Sequence, residues 1–335
     1  MSTISLNAVR SGSLFGPSFL PAEKKTEILD REWLLDLKYP LIQILKESLR
    51  GPLSRPLHFL MHLKNVLNPD LFVKNFQKKS ITQITRESIQ SGTIFSKVGN
   101  NPTQQNVQNP SSARLLYVLD RVEGIAKKMG LKQEIHLYTG PERLPTGAFG
   151  SAFISKPANI FIDAEIFHLS LEEIDFVMGH EIAHIYHNDC LQDVAFEAAT
   201  ILTEVLFCFL ISPLSLIIVE PLCNVARHYA LFQGQEYNAD QRAMQILGSN
   251  VGAVRFFEER IQSMKTLKNA TYDEFLARLK PRHIRHWNAK KVSEAQDKIT
   301  PLGNNRADLN HPPFTARLKS ALEYRVRGEC AAAMA

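Results

Sequence analysis

Apolar residues recur every three or four positions along most of this chain, a pattern that predicts a predominantly helical protein. The pattern is clear in residues 22–80 and returns after Ser112, in a helix that Gly130 should end. It continues through residues 251–280, whereas residues 281–310 are polar and are expected to form surface loops.

Two further helices are predicted with clear ends. Ser170 and Glu173 have the spacing of a capping box, so one helix should begin at Leu171. The second covers about residues 225–247 and should end at Gly248.

Three short segments before Ser170 have strand character, namely 134–138, 147–154 and 159–163. The expected class is therefore α+β, predominantly helical, with a small sheet beside the helix that begins at Leu171. Gly147, Ala148 and Phe149 include small residues that permit close approach of another backbone, although an ordinary sheet edge fits them too.

Changes in composition predict the domain organisation of the 335 residues. We expect a mobile tail at 1–21, a basic helical region at 22–95 and a polar linker at 96–112. A main domain should follow at 113–325, with a short tail at 326–335.

Composition limits the class and location of the protein. With 44% hydrophobic and 22% charged residues, the chain has enough apolar side chains for a full core. Its four cysteines form no C-x-x-C pair, and the first 20 residues lack the apolar stretch of a signal peptide. We expect an intracellular protein, cytoplasmic or membrane-associated.

Positive charge is concentrated in residues 40–80, which hold seven Lys or Arg and two acids, a difference of +5 that equals the formal charge of the whole chain. A basic helical segment suits an anionic membrane or an acidic partner, but a solvated helical face is the more common explanation. Without interleaved aromatic residues it does not predict a nucleic-acid partner.

Residues 205–219 contain no charge and lie between Glu204 and Glu220. They are too few to span a bilayer, which requires about 20 residues, and Pro213 divides them. Two helices that meet near Pro213 and are buried in the core would explain the segment, and so would contact with a membrane.

Candidate chemistry centres on Gly-His-Glu-Ile-Ala-His at 179–184. Residues four apart lie on one face of a helix, so His180 and His184 can bind one metal ion. The pattern is typical of zinc peptidases, in which the glutamate, here Glu181, is the general base on a zinc-bound water.

A catalytic zinc has three protein ligands, so one is still missing. Glu236 is the best candidate, because it lies in the second predicted helix with Asp240 one turn later on the same face. Asp240 can accept a hydrogen bond from a zinc-bound histidine and so fix the orientation of its ring.

Three motifs occur in order: H-E-I-A-H at 180–184, E-Y-N-A-D at 236–240 and H-P-P-F-T-A-R at 311–317. Together they resemble the gluzincin peptidases that include HtpX and the CAAX prenyl proteases, over about residues 111–325. The resemblance implies a zincin-like domain with one Zn²⁺ per chain, bound by the first motif and the Glu of the second. The chain departs from the common pattern at Asn238 and at Asp189, neither of which is expected to touch a ligand.

The resemblance also places His311 and Arg317 near the active site. It implies that His311 donates to the oxyanion or occupies the open position of the zinc, and that Arg317 pairs with a carboxylate. In such folds an extended substrate adds as a strand to the sheet edge, here 147–149.

These observations predict a zinc-dependent endopeptidase that acts on proteins or peptides. One alternative is a catalytically silent scaffold or chaperone-like binder stabilised by zinc, which a site closed by His311 would favour. The other is a membrane-associated protease of the same family.

Overall fold

The computed structural model describes residues 59–60, 63–64, 67, 82–92, 111–139, 147–149, 156–212, 216–277, 288–306, 308 and 311–334. The predicted tail at 1–21, most of the basic region and nearly all of the 96–112 linker lie outside these residues, as does Pro213.

Within the described residues, four strands form one small sheet in the order β1-β2-β4-β3. The strands are β1 (Thr82–Ile84), β2 (Ile135–Thr139), β3 (Gly147–Phe149) and β4 (Ala158–Ile162). β4 runs parallel to β2, while β1 and β3 pair antiparallel with their neighbours. β3 is therefore an edge strand, and it contacts the helix that begins at Leu171.

Helices make up most of the described chain, which confirms the predicted α+β class with helices predominant. They are α1 (Arg86–Gln90), α2 (Ser112–Met129), α3 (Leu171–His187), α4 (Asp189–Leu210), α5 (Leu216–Ala226), α6 (Gln233–Leu247), α7 (Val251–Lys268), α8 (Tyr272–Ala277), α9 (Ala289–Asp297) and α10 (Phe314–Met334). A 3₁₀ helix covers Ala164–His168, and a π-helix covers Arg227–Phe232.

The core is built around α3, which packs against α2, α6 and α7. Its apolar side chains Ile174, Met178 and Ile182 are completely buried. Glycines allow the close approach of its neighbours: a Cβ at Gly252 of α7 would overlap the carbonyl oxygen of Glu172. A helix held so tightly is a rigid support for the side chains that it presents.

Helix ends follow the predicted signals closely. Ser170 and Glu173 form the predicted capping box, and α3 begins at Leu171. Gly130 and Gly248 end α2 and α6 in the left-handed conformation, with φ of 74° and 66°. The prediction for the start of α2 was wrong by one residue, since Ser111 is the N-cap.

The predicted domain boundary at 96–112 does not separate two cores. β1 pairs with β2, and Ile84 and Ile89 belong to the same buried cluster as Leu115 of α2. Residues 82–90 are therefore part of the main domain. A strand of three residues is too short to show an alternating pattern, so β1 could not be predicted from the sequence.

Three other segments differ from the predictions. The helical stretch at 225–247 is interrupted by the π-helix, a local irregularity that hydrophobic periodicity does not report. The polar stretch 281–310 contains α9, whose single buried residue is Val292. Finally, α10 continues past 325 to Met334 through an alanine-rich end, and alanine is the strongest helix former.

Most of the described side chains between 205 and 218 are exposed or half-buried, contrary to the first of the two explanations, in which both helices are buried in the core. Two helices do meet there, since α4 ends at Leu210 and α5 begins at Leu216. However, the buried positions of α4 end at Thr200, and Phe209 and Leu210 are 86% and 80% exposed. Along the part of the chain that the structure describes, no helix is sufficiently long and apolar to cross a membrane.

Candidate active site

His180 and His184 of α3 converge with Glu236 of α6. One ligand atom from each lies within 4.8 Å of the others, as a shared metal ion requires. His180 and Glu236 are buried and His184 is partly buried. The three residues predicted from the two motifs are thus brought together by the packing of α3 on α6.

Each histidine uses its other ring nitrogen on a carboxylate. Nδ1 of His180 is 2.9 Å from Oδ1 of Asp240, and Nδ1 of His184 is 2.6 Å from Oδ2 of Asp189. A carboxylate accepts only, so each Nδ1 carries a proton and donates it to its carboxylate, while each Nε2 faces the other ligand atoms. Such hydrogen bonds fix the orientation of metal-binding histidines.

The two Nε2 atoms lie 3.0 Å apart, and each is 3.5 Å from a carboxylate oxygen of Glu236. Two lone pairs at that separation repel each other unless a cation or a proton lies between them. Two imidazoles and one carboxylate are a donor set that suits zinc, so the residues present fit this metal.

Electrostatics at the site favour positive charge. Burial lowers the pKa of His184, but hydrogen bonds to Asp189 and Glu236 outweigh this effect and raise the pKa to about 10. For the Glu236 carboxyl the effects are reversed. Burial raises its pKa, but Arg317 and His180 outweigh burial and hold the pKa well below its usual range. Glu236 is thus an ionised carboxylate that is ready to bind a cation.

Arg317 of α10 connects the two acidic residues of α6. Its guanidinium makes two hydrogen bonds to Asp240, at 2.7 and 2.6 Å, and lies 2.9 Å from Oε2 of Glu236. Its plane covers the ring of Phe257, with the central carbon 4.8 Å from the ring centre. The predicted pairing of Arg317 with a carboxylate is therefore present, with two partners.

Glu181 follows the first histidine on α3 and is only 7% exposed. Among the residues that the structure describes, its carboxylate has no hydrogen-bond or ion-pair partner. A buried carboxylate without a structural partner is available to accept a proton.

His311 stands at the rim of the site rather than among the ligands. Its Nε2 is 3.6 Å from Glu236, its Nδ1 is 2.9 Å from Asp308, and its side chain is 48% exposed. Although burial lowers its pKa, Asp308 and Glu236 raise it more, which favours the form with a proton on each nitrogen. His311 is not one of the residues that converge in the cluster of ligand atoms.

Asp189 is the residue that the sequence reasoning misjudged. We expected it to touch no ligand, but it lies 2.6 Å from His184 and is buried. A carboxylate five residues after the second histidine was the available signal. It was missed because helical spacing would place residue 189 on another face, whereas Asn188 turns the chain between α3 and α4. Asn238 is exposed, as a residue without a role at the site would be.

Comparisons with known proteins agree with this arrangement. Residues 113–325 match the model of peptidase family M48. The chain belongs to that family. The domain fits a zincin-like fold, as the resemblance implied, and the M48 match includes all three motifs.

Curated relatives match a shorter stretch. A protease HtpX homolog from Janthinobacterium sp. (strain Marseille) is 28% identical over 85 residues, which are 25% of this chain and 28% of that protein. One from Bordetella pertussis is 30% identical over 82 residues, 24% and 27% of the two chains. The match thus spans little more than a quarter of these M48 relatives. No solved structure matches the chain.

Proposed function

We propose that the protein is a zinc-dependent endopeptidase. The proposal rests on one observation, the convergence of His180, His184 and Glu236 on a single point, with both imidazoles oriented by carboxylates. Membership of peptidase family M48 and the relatives named as proteases support it.

The three converging side chains would hold one zinc ion. When bound, zinc would polarise the scissile carbonyl and lower the pKa of a coordinated water towards about 7. Arg317 keeps Glu236 and Asp240 ionised and in place, while Asp240 and Asp189 hold both imidazoles with Nε2 facing Glu236.

Glu181 would transfer the proton. Its carboxylate takes a proton from the attacking water and later gives it to the leaving amine nitrogen, so that the bond between carbonyl carbon and nitrogen can break. Burial and the lack of a structural partner within the described chain suit this role.

His311 would donate a hydrogen bond to the carbonyl oxygen as that oxygen gains negative charge. Its exposed side chain, fixed by Asp308, stands beside Glu236 without joining the ligand cluster. A site open to substrate at this position favours an enzyme over the alternative of a zinc-stabilised scaffold, in which His311 would close the site.

The substrate would be an extended peptide that adds to β3. This strand is at the edge of the sheet and contacts α3, and Gly147 and Ala148 are small residue types that permit close approach of a second backbone. Peptide cleavage by wild-type protein and by Glu181→Gln at equal zinc content tests the proposed activity, and the variant should cleave far more slowly.

We further propose that the exposed end of the α4–α5 hairpin contacts a membrane surface. The exposed side chains at this end are large and uncharged, and they include Leu206, Phe209 and Ile218. Glu204, which is partly exposed, is the charged residue nearest to them on α4. Phe59 and Leu60, from the basic region, line one apolar groove with four residues of α4: Ala198, Ile201, Leu202 and Val205. The apolar surface of α4 therefore adjoins Phe59 and Leu60, which the sequence places within the basic region.

Flotation with phosphatidylcholine vesicles that contain phosphatidylserine tests this proposal. Full-length protein should float with the vesicles, and the double variant Phe209→Asp, Leu210→Asp should bind more than tenfold more weakly, because each side chain contributes about 1.5–3 kcal/mol on burial. Val251→Asp, an exposed apolar residue elsewhere, is the matched control. Equal flotation of both variants would contradict the proposal, as would self-association of wild type in place of vesicle binding.

A further inference from the structure

The junction between α3 and α4 is unusual because a single residue joins the two helices. Asn188 has φ 56° and ψ 42°, and no other non-glycine residue in the described chain has a positive φ. Asparagine tolerates this left-handed conformation better than most residues do. The turn places Asp189 at the start of α4 with its carboxylate directed back to His184.

A side chain of α6 holds this junction from the other side. Gln235 is buried, and its amide nitrogen donates to the backbone carbonyl of Asp189 at 3.4 Å and to Oδ1 of Asp193 at 3.1 Å. The next residue along the chain is Glu236. Consecutive residues of α6 therefore contribute a proposed zinc ligand and fasten the first turn of α4.

Such a fastening is needed because α4 is weakly held elsewhere. Of its 22 residues, the buried ones are Asp189, Val194, Glu197 and Thr200, all within its first twelve residues. Glu197 pairs with Arg227 at 3.3 Å, and the rest of the helix projects to the exposed apolar end. Movement of the first turn would carry the Asp189 carboxylate away from His184.

We propose that Gln235 is a positioning residue, which sets the zinc affinity of the site by holding Asp189 against His184. The proposal rests on the zinc site put forward above, but it concerns residues outside the ligand set. A ring whose hydrogen-bond partner is fixed presents its Nε2 in one direction, whereas a loosely held partner lets the ring turn.

Zinc affinity, measured by competition with a chelator, is the first readout. Loss of a group that contacts a ligand typically costs 10–100-fold in metal affinity, as we expect for Asp189→Asn. Gln235→Glu and Asp193→Ala act one contact further away and should each weaken zinc binding by roughly 5–10-fold. Asn238→Asp, which adds the same charge on the exposed face of α6, should leave zinc affinity unchanged.

A second readout separates positioning from general damage to the fold. The visible spectrum of the Co²⁺-substituted protein reports ligand geometry. It should shift in Gln235→Glu and in Asp193→Ala, while the thermal unfolding of each metal-free variant stays near that of wild type. In Gln235→Glu with Asp193→Asn, the donor and acceptor at this contact are exchanged. The double variant should therefore bind zinc more tightly than Gln235→Glu alone.

The outcomes distinguish this inference from the proposed function. If wild type binds no zinc, the zinc-peptidase proposal fails, and this inference fails with it. If wild type binds zinc tightly and both single variants bind equally tightly, Gln235 has no positioning role although the metal site stands. The same conclusion follows if the double variant recovers nothing. If Gln235→Glu does not fold, Asp193→Ala tests the same contact, because it removes the half-buried acceptor of the Gln235 hydrogen bond.

Discussion

Replacing Glu181 with glutamine is expected to lower kcat/KM for peptide cleavage by about 10²–10⁴-fold, the usual contribution of a general acid–base group. Glutamine has nearly the same shape, but it cannot accept the proton of the attacking water. Because Glu181 is not among the residues that converge as ligands, zinc content should stay at one ion per chain. Cleavage of a quenched peptide library, with metal content determined on the same sample, measures both.

Glu172→Gln is the matched control for this result. Glu172 lies on the same helix, but its side chain is 56% exposed and pairs with Arg255 at the surface. Its removal should leave cleavage within twofold of wild type. A Glu181→Gln protein with zinc bound and full activity would show that another group takes the proton.

Loss of Arg317 is expected to have the largest effect on stability. In the metal-free protein, Arg317→Gln leaves the buried carboxylates of Glu236 and Asp240 without their cationic partner. Breaking a buried ion pair from one side costs about 3–5 kcal/mol, so the free energy of unfolding in urea should fall by that amount. Zinc should restore part of the loss, because it brings positive charge back to Glu236.

Two variants define the source of this effect. Arg317→Lys keeps the charge but loses the paired hydrogen bonds to Asp240, so it should cost less than Arg317→Gln. Arg255→Gln removes an exposed partner of Glu172 and should cost less than about 1 kcal/mol. If Arg317→Gln cost no more than Arg255→Gln, the buried pair would not stabilise the site.

The parts of the fold that the sequence predicted well are those with long or strongly marked patterns. The capping box at Ser170 placed the start of α3 correctly, and left-handed glycines ended α2 and α6 where expected. His180 and His184 lie four apart on one helix, so their convergence followed from helix geometry alone. Glu236 was found because a catalytic zinc site still needed one ligand.

The parts that were wrong depend on tertiary contacts. β1 has three residues and is held by pairing with β2, which local sequence does not report. Asp189 reaches His184 because one left-handed residue, Asn188, redirects the chain. Nothing in the local pattern distinguishes Gln235, whose partners lie 42 and 46 residues away.

The apolar stretch at 205–219 shows a further limit of sequence reasoning. Its composition is that of a core helix, yet the structure leaves Phe209, Leu210 and Ile211 exposed. Hydrophobicity reports a tendency to leave water, and it does not say whether the chain itself or a partner covers the surface. Of the two explanations that the sequence left open, the exposure of these residues argues against a buried core, and membrane contact stays a proposal.

The proposed endopeptidase activity can be tested by identifying newly formed peptide termini in a proteome digest, with wild type compared to Glu181→Gln at equal zinc content. We expect termini made only by wild type, at internal peptide bonds, and the residues around them would describe the substrate site beside β3. Identical termini from the two proteins, with one zinc bound in each, would contradict an endopeptidase in which Glu181 transfers the proton. The zinc-stabilised scaffold would then be the better account of the same cluster of residues.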